Sequence, residues 1–333
     1  MASDRNTQWA EVNALFDRLL DLPPDQREAQ LHAANVDRGV AIQVRAMLAA
    51  LDEEPGFLEP SAPPPAAIAP GSLPAGTRIG AFVIDRLVGR GGMGEVYLAH
   101  REDAGFAQQV ALKLVRVEAA ARLTQFENER RILAGLEHPG IARLVDGGVA
   151  PDGRPYMAME FVEGQDILAF AQAHRLDAET RLRLFGQVCE AVDFAHRRLV
   201  VHRDLKPANI LVDGEGRVRL LDFGIAHLLG DDDSAQTQAL LTPDYAAPEQ
   251  LEGGTITTAT DVHALGVVLY ELLAGQRPWT LAGLPLPASL KRRLEEDPAP
   301  PSARAAGAGP VPTSRLQGDL DAIVLKALRR EPA

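Results

Sequence analysis

One stretch limits what this chain can become more than any other: Val201-His202-Arg203-Asp204-Leu205-Lys206-Pro207-Ala208-Asn209-Ile210-Leu211-Val212. An aspartate, a lysine two residues on and an asparagine five residues on crowd into one short polar turn. An apolar β-prone run follows at once. Thirteen residues after Asn209 comes Leu221-Asp222-Phe223-Gly224. Two oxygen donors on neighbouring turns, the Asn209 amide and the Asp222 carboxylate, suit a Mg²⁺ ion that also binds phosphate oxygens. A free carboxylate at Asp204 is suited to orient a hydroxyl and to take its proton late in a transfer. His202 reads as a satisfied core histidine with a structural part only.

The upstream third supplies what a phosphate chemistry would need. Gly89-Arg90-Gly91-Gly92-Met93-Gly94-Glu95-Val96 is a glycine cluster between β-prone runs, so it reads as a strand–turn–strand flap whose backbone can approach a phosphate closely. Taken alone it fits a hairpin without a ligand equally well. A Walker A loop is excluded, because no Gly-Lys dipeptide occurs. Lys113 lies seventeen residues after Val96, in Val110-Ala111-Leu112-Lys113. An ammonium among apolar residues calls for an anionic partner, although an outward-facing strand lysine is the plainer alternative. Glu129 is sixteen residues further on. Its spacing to Leu133 puts it on the inward face of a helix, with Glu127 as a nearby rival.

Composition separates three regions. Residues 1–58 read as helices, from Trp9, Val12, Leu15, Phe16, Leu19 and Leu20 at helical spacing, and again from Val40, Val44, Met47, Leu48 and Leu51. Residues 59–77 are a Pro/Ala-rich linker. From residue 78 short strands give way to long helical patterns, among them 178–196 and 259–273, which suggests two lobes around a crevice. The net charge of −12 excludes a nonspecific nucleic-acid binder. A single cysteine, Cys189, excludes an intrachain disulfide and a cysteine zinc site. The N-terminus has no signal-peptide core and no apolar run is long enough to span a bilayer, so a cytoplasmic location is expected.

These motifs, in this order, with Ala247-Pro248-Glu249 after them, resemble those of the bacterial eukaryotic-like Ser/Thr protein kinases, over about three quarters of the chain. The resemblance implies an α+β fold: a small β-rich N-lobe and a large helical C-lobe over 78–333, preceded by the all-α module. It implies ATP held under Val88 and the loop from Gly89 to Val96, with Val96, Ala111 and Leu211 around the adenine. Met159 would be the gatekeeper, and backbone groups of Glu160 and Val162 would bind the adenine edge. Lys113 would hold phosphates and pair with Glu129, Asp204 would be the catalytic aspartate and Lys206 its phosphoryl-neutralising neighbour. Asn209 and Asp222 would hold Mg²⁺, with Mn²⁺ as a substitute. Leu133, Leu144, His202 and Phe223 match a packed spine, and Asp261 would brace the catalytic loop. Lys206 and Thr242 point to Ser/Thr of protein acceptors. Only four basic residues are lysines, Lys113, Lys206, Lys291 and Lys326. Two of the four stand where this chemistry wants a compact ammonium.

Further expectations concern regulation and departures. Ser234, Thr237 and Thr242 are candidates for autophosphorylation, in trans within a homodimer, with Arg203 ordering the modified loop. Asp231-Asp232-Asp233 reads as a solvated loop. Leu241 replaces a common glycine, and His263-Ala264 replace a common Tyr-Ser. The arginine that pairs with the residue matching Glu249 is expected beyond Ala333. Two other readings stay open: a pseudokinase-type binding scaffold and a small-molecule phosphotransferase. The first usually lacks one of the three charged positions present here, and the second usually lacks the segment from Thr242 to Glu249.

Overall fold

The computed structural model describes residues 72–91, 94–102, 108–115, 130, 132–223, 244–281, 284–305 and 309–331, together with Leu19, Gln30, Leu31, Val44 and Arg45. The expected helical module therefore lies almost wholly outside the described residues. So do most of the linker, Gly92, Met93, Glu129, Ser234, Thr237, Leu241 and Thr242.

Strands come first. β1 (Arg78–Ile79), β2 (Phe82–Gly91), β3 (Gly94–Arg101), β4 (Gln109–Val115), β5 (Leu144–Val149) and β6 (Pro155–Glu160) form one antiparallel sheet in the order β1-β2-β3-β4-β6-β5. Side chains alternate along a strand. Tyr97, Ala99, Val110, Leu112, Leu114, Tyr156 and Ala158 thus fall on one face and form a core with Ile79, Phe82 and Ile84. Ala111 and Lys113, offset by one residue, take the other face. The register sets Lys113 between Val96 and Met157, and Ala111 between Leu98 and Met159.

A small second sheet, β7 (Gly164–Asp166), β8 (Ile210–Asp213) and β9 (Val218–Leu220), opens the C-terminal part. The same part holds α1 (Ile167–Ala173), α2 (Ala178–His196), α3 (Pro248–Glu252), α4 (Thr258–Ala274), α5 (Leu286–Glu295), α6 (Pro301–Arg304), α7 (Thr313–Leu316) and α8 (Asp319–Ala327). Caps define the helix starts: Asp166 accepts from the Leu168 and Ala169 amides and Asp177 from that of Thr180, satisfying donors a helix start leaves free. α4 starts at Thr257, which accepts from the Ala259 amide, and stops at Gly275 with φ 74°. That left-handed end favours glycine.

α4 is apolar nearly all round, so it is buried rather than amphipathic. Ala264, Leu265, Val268 and Leu272 enter the core shared with α1 and α2. Val267, Leu269, Tyr270 and Leu273 enter a second core with Trp279, Val311, Leu316 and Val324. The segment leading into β5 is stitched to the small sheet where Ala142 N–H donates to Leu220 O (2.9 Å) and Leu220 N–H to Gly140 O (2.8 Å). This contact fixes the large sheet against the turn that carries Asp222.

Candidate active site

Three chain segments converge on the crevice. From β4 comes Lys113, only 6% exposed. From the turn after β9 comes Asp222, whose Oδ2 lies 2.8 Å from Lys113 Nζ across 109 residues of sequence. From the turn before β8 come Asp204, Lys206 and Asn209. Lys206 Nζ is 3.0 Å from Asp204 Oδ2. Asn209 Nδ2 donates to the Asp204 backbone oxygen (2.7 Å) and to Asp204 Oδ2 (3.0 Å), leaving its Oδ1 oxygen outside that contact. Leu221 N–H donates to Asn209 O (2.9 Å), so the two turns move as one piece.

The local backbone is unusual, with a visible physical reason. Arg203 and Asp222 adopt φ 67° and 49°, the left-handed region, which costs a non-glycine residue about 1–2 kcal/mol. At Arg203, Asp261 at the buried start of α4 compensates. Its Oδ1 accepts the Arg203 amide (2.8 Å), and its Oδ2 accepts the His202 amide (2.7 Å) and faces His196 Nε2 (2.7 Å). His202 is wholly buried, 2.8 Å from Leu221 O through Nε2, with its ring 4.5 Å from that of Phe223. It ties the two turns together, and its Nδ1 accepts the Asp204 amide (3.4 Å), a backbone contact that leaves the Asp204 carboxylate free of the ring.

Leu133, Leu144, Met159, Asp222 and Phe223 share one small cavity, so the spine positions and the expected gatekeeper meet in the structure. Val96 and Ala111 line the sheet face of Lys113, and Val162 follows β6 at the connection between the lobes. Leu211 pairs with Asp166 and Arg219 across the small sheet. Glu160 Oε1 reaches Arg219 (3.3 Å).

Val88 is exposed at 47%, and the hairpin narrows through the pairs Gly89–Val96, Arg90–Glu95 and Gly91–Gly94. Glu95 turns its side chain back into the lobe. It accepts from Arg90 Nε (2.9 Å), Tyr97 Oη (2.7 Å) and Arg154 (3.3 Å). Burial pushes its carboxyl up, but the hydrogen bonds from Tyr97 and Arg90 outweigh that and hold it below the usual 4.5. This staple across the hairpin was not legible in the motif, which presents Arg90 and Glu95 only as variable positions between glycines.

The donor set also fits a divalent cation. Asp222 Oδ1 is buried and has no hydrogen-bond partner among the described residues. A buried carboxylate oxygen left unpaired is costly, and a hard cation held with the Asn209 amide oxygen is the chemistry that satisfies it. His263, expected to be a packing variant, is buried with its ring 6.3 Å from and nearly parallel to Trp279. Burial holds its imidazole down at about 3. Glu249 accepts from Thr260 Oγ1 (2.6 Å). Among the described residues no helix is long and apolar enough to cross a membrane.

The protein kinase domain model matches residues 82–285. This chain belongs to the protein kinase family. It is 35% identical to the serine/threonine-protein kinase PknB of Mycobacterium tuberculosis over 261 residues, 75% of this chain and 40% of that protein. To PknJ of the same organism it is 35% identical over 268 residues, 78% of this chain and 44% of that one. The chain thus spans less than half the length of these curated relatives. The crystal structure of the M. tuberculosis PknI kinase domain aligns with TM-score 0.57 at 28% identity, over 78% of this chain and 92% of that one. The expected two-lobed kinase fold is therefore present. Members of the family use ATP with Mg²⁺ and act on proteins.

Proposed function

We propose that this chain is a protein serine/threonine kinase, transferring the ATP γ-phosphoryl group to a Ser or Thr hydroxyl of a protein. The observation that carries this reading is the convergence of Lys113, Asp222, Asn209, Asp204 and Lys206 on one crevice, with Asp222 Oδ1 left unpaired. The complete set of charged positions favours an active enzyme over a binding scaffold.

Asn209 and Asp222 would hold the Mg²⁺, and Lys113 the α- and β-phosphates. When bound, the nucleotide would supply the group transferred, and a metal ion held by Asn209 and Asp222 would neutralise charge on it. Asp204 accepts a hydrogen bond from the incoming hydroxyl and takes its proton as the new O–P bond forms and the bond to the β-phosphate oxygen breaks. Lys206, 3.0 Å from Asp204, stabilises the charge spread over the transferring group. Val96, Ala111, Leu211 and Met159 exclude water around the adenine, and the Glu160–Val162 backbone would read its edge. Glu129 would complete the hold on Lys113.

Arg203 and the Ser234–Thr237 stretch support autophosphorylation of the loop within a transient homodimer. The net charge of −12 supports protein rather than nucleic-acid partners, and a cytoplasmic site of action fits the same composition.

Incubation with Mg²⁺ and γ-labelled ATP, alone and with a basic acceptor protein, tests the proposal. Label should enter the acceptor and residues 225–245 of the chain itself, and should vanish in Asp204→Ala. Equal labelling by wild type and Asp204→Ala would defeat the assignment, and label confined outside 225–245 would remove the autophosphorylation part.

A further inference from the structure

Arg293 is the most deeply buried cation on α5, 4% exposed. Its neighbours Lys291 and Arg292 point outward to Glu295 and Glu296. Its guanidinium stacks on Trp279, 4.4 Å from the ring centroid. One terminal nitrogen donates to the Asp244 carbonyl and the other to the Ala246 carbonyl. The fork therefore grips the backbone on both sides of Tyr245. The nearest acid, Asp244, is engaged with Arg277, and Arg293 makes no carboxylate contact among the described residues. Desolvation accordingly pulls its pKa down to about 10. A methionine or leucine would cover Trp279 without that penalty. What only the guanidinium supplies is a pair of charge-assisted hydrogen bonds to two specific carbonyls.

Those carbonyls belong to a segment that reaches the catalytic turn. Ala247 N–H donates to Gln250 Oε1 (2.9 Å), and Gln250 Nε2 donates to Arg203 O (2.8 Å), one residue from Asp204. Tyr245 Oη donates to Glu271 on α4 (2.6 Å). Residues 244–247 are thus pinned on one side to the turn carrying Asp204 and on the other to α5. An acceptor chain that brings its hydroxyl to Asp204 past this segment must lie against it.

We propose that Arg293 is a positioning residue for the protein acceptor, holding the Asp244–Ala246 backbone in the conformation against which the acceptor docks. This rests on the protein-kinase reading above. The role is separable from nucleotide binding, because Arg293 makes no described contact with Lys113, Asn209 or Asp222.

The test compares wild type with Arg293→Met, which keeps the packing on Trp279, and Arg293→Lys, which keeps the charge but loses the fork. Two readouts are used: KM for a basic acceptor protein against KM for ATP, and amide hydrogen exchange. Arg293→Met should raise the acceptor KM about tenfold and leave the ATP KM within about twofold, with Arg293→Lys between. Amides of 244–250 should lose protection while those of 109–115 do not. Parallel changes in both KM values, or faster exchange in both regions, mean general loosening and overturn the role. A wild-type chain that transfers normally while Arg293→Met keeps its acceptor KM overturns this inference alone. A wild type that transfers to no protein overturns the kinase reading and this role with it.

Discussion

Three glycines of the flap look equivalent in the sequence and are not equivalent in space. Gly94 has φ 140°, and a Cβ built on it would sit on the Leu114 carbonyl oxygen, 3.0 Å from the Leu114 carbon and 3.3 Å from Val115 Cα. These are backbone atoms of β4, so no rotamer change relieves the clash. Strand β3 would have to leave β4 by roughly an ångström at the pairs Gly94–Val115 and Glu95–Leu114. The backbone conformation costs about 1–2 kcal/mol for a residue with a Cβ, and each weakened ladder hydrogen bond about 1 kcal/mol. Gly94→Ala should therefore lose about 3 kcal/mol, or roughly 6–12 °C in Tm for a domain of this size, and ATP affinity falls with it because the displaced strand pairs with Lys113 on β4 through Val96. Gly89 and Gly91 have nothing within 4 Å of a built Cβ and no positive φ. Alanine at either should leave Tm within about 2 °C by the usual range for surface changes, while still weakening ATP binding where the backbone meets phosphate. Thermal unfolding with and without Mg·ATP separates the two behaviours. An unchanged Tm for Gly94→Ala, or an equal loss at Gly89 and Gly91, would refute the argument.

Leu199, at φ 61° and 93% exposed, occupies a left-handed turn before the catalytic loop without burying its side chain. Leu199→Gly should stabilise the chain by about 0.5–1 kcal/mol, the left-handed cost less the entropy glycine adds to the unfolded chain, and a lower urea midpoint would contradict this. Glu95 has its folded pKa held below the ordinary 4.5. Its stabilising share is full above that value and disappears as pH falls through the folded pKa. Stability should therefore drop on acidification below about pH 4.5, and Glu95→Gln should be less stable at pH 7 but flatter toward acid. A Glu95→Gln profile parallel to wild type would show that the staple carries no linkage.

The parts of the fold that were legible in the sequence are those governed by local rules. The 178–196 helix reads correctly because its apolar spacing runs unbroken from an aspartate cap. The helix expected at 259–273 runs from Thr258 to Ala274 between Thr257 and Gly275, a start and a stop that residue type alone signals. That Asp204, Lys206, Asn209 and Asp222 lie together was legible, because dense, ordered motifs leave little room for accident. The partner of Lys113 was not, since a contact across 109 residues depends on how two lobes pack.

Arginine is where sequence reasoning runs out most clearly. Thirty-four basic residues, all but four of them arginine, look like a solvated surface, and Lys291-Arg292-Arg293 looks like an exposed basic run. Yet Arg293 and Arg181 are each 4% exposed. Arg181 donates to the Leu176, Leu272 and Ala171 carbonyls (2.8, 3.0 and 3.1 Å). Both cations satisfy backbone oxygens where chain segments meet, a task set by the docking of distant elements rather than by any spacing near the arginine. A helical wheel places Arg293 with Ser289, one turn earlier and also buried at 7% exposure, but two polar residues on one face carry no sequence sign that the face meets backbone rather than solvent.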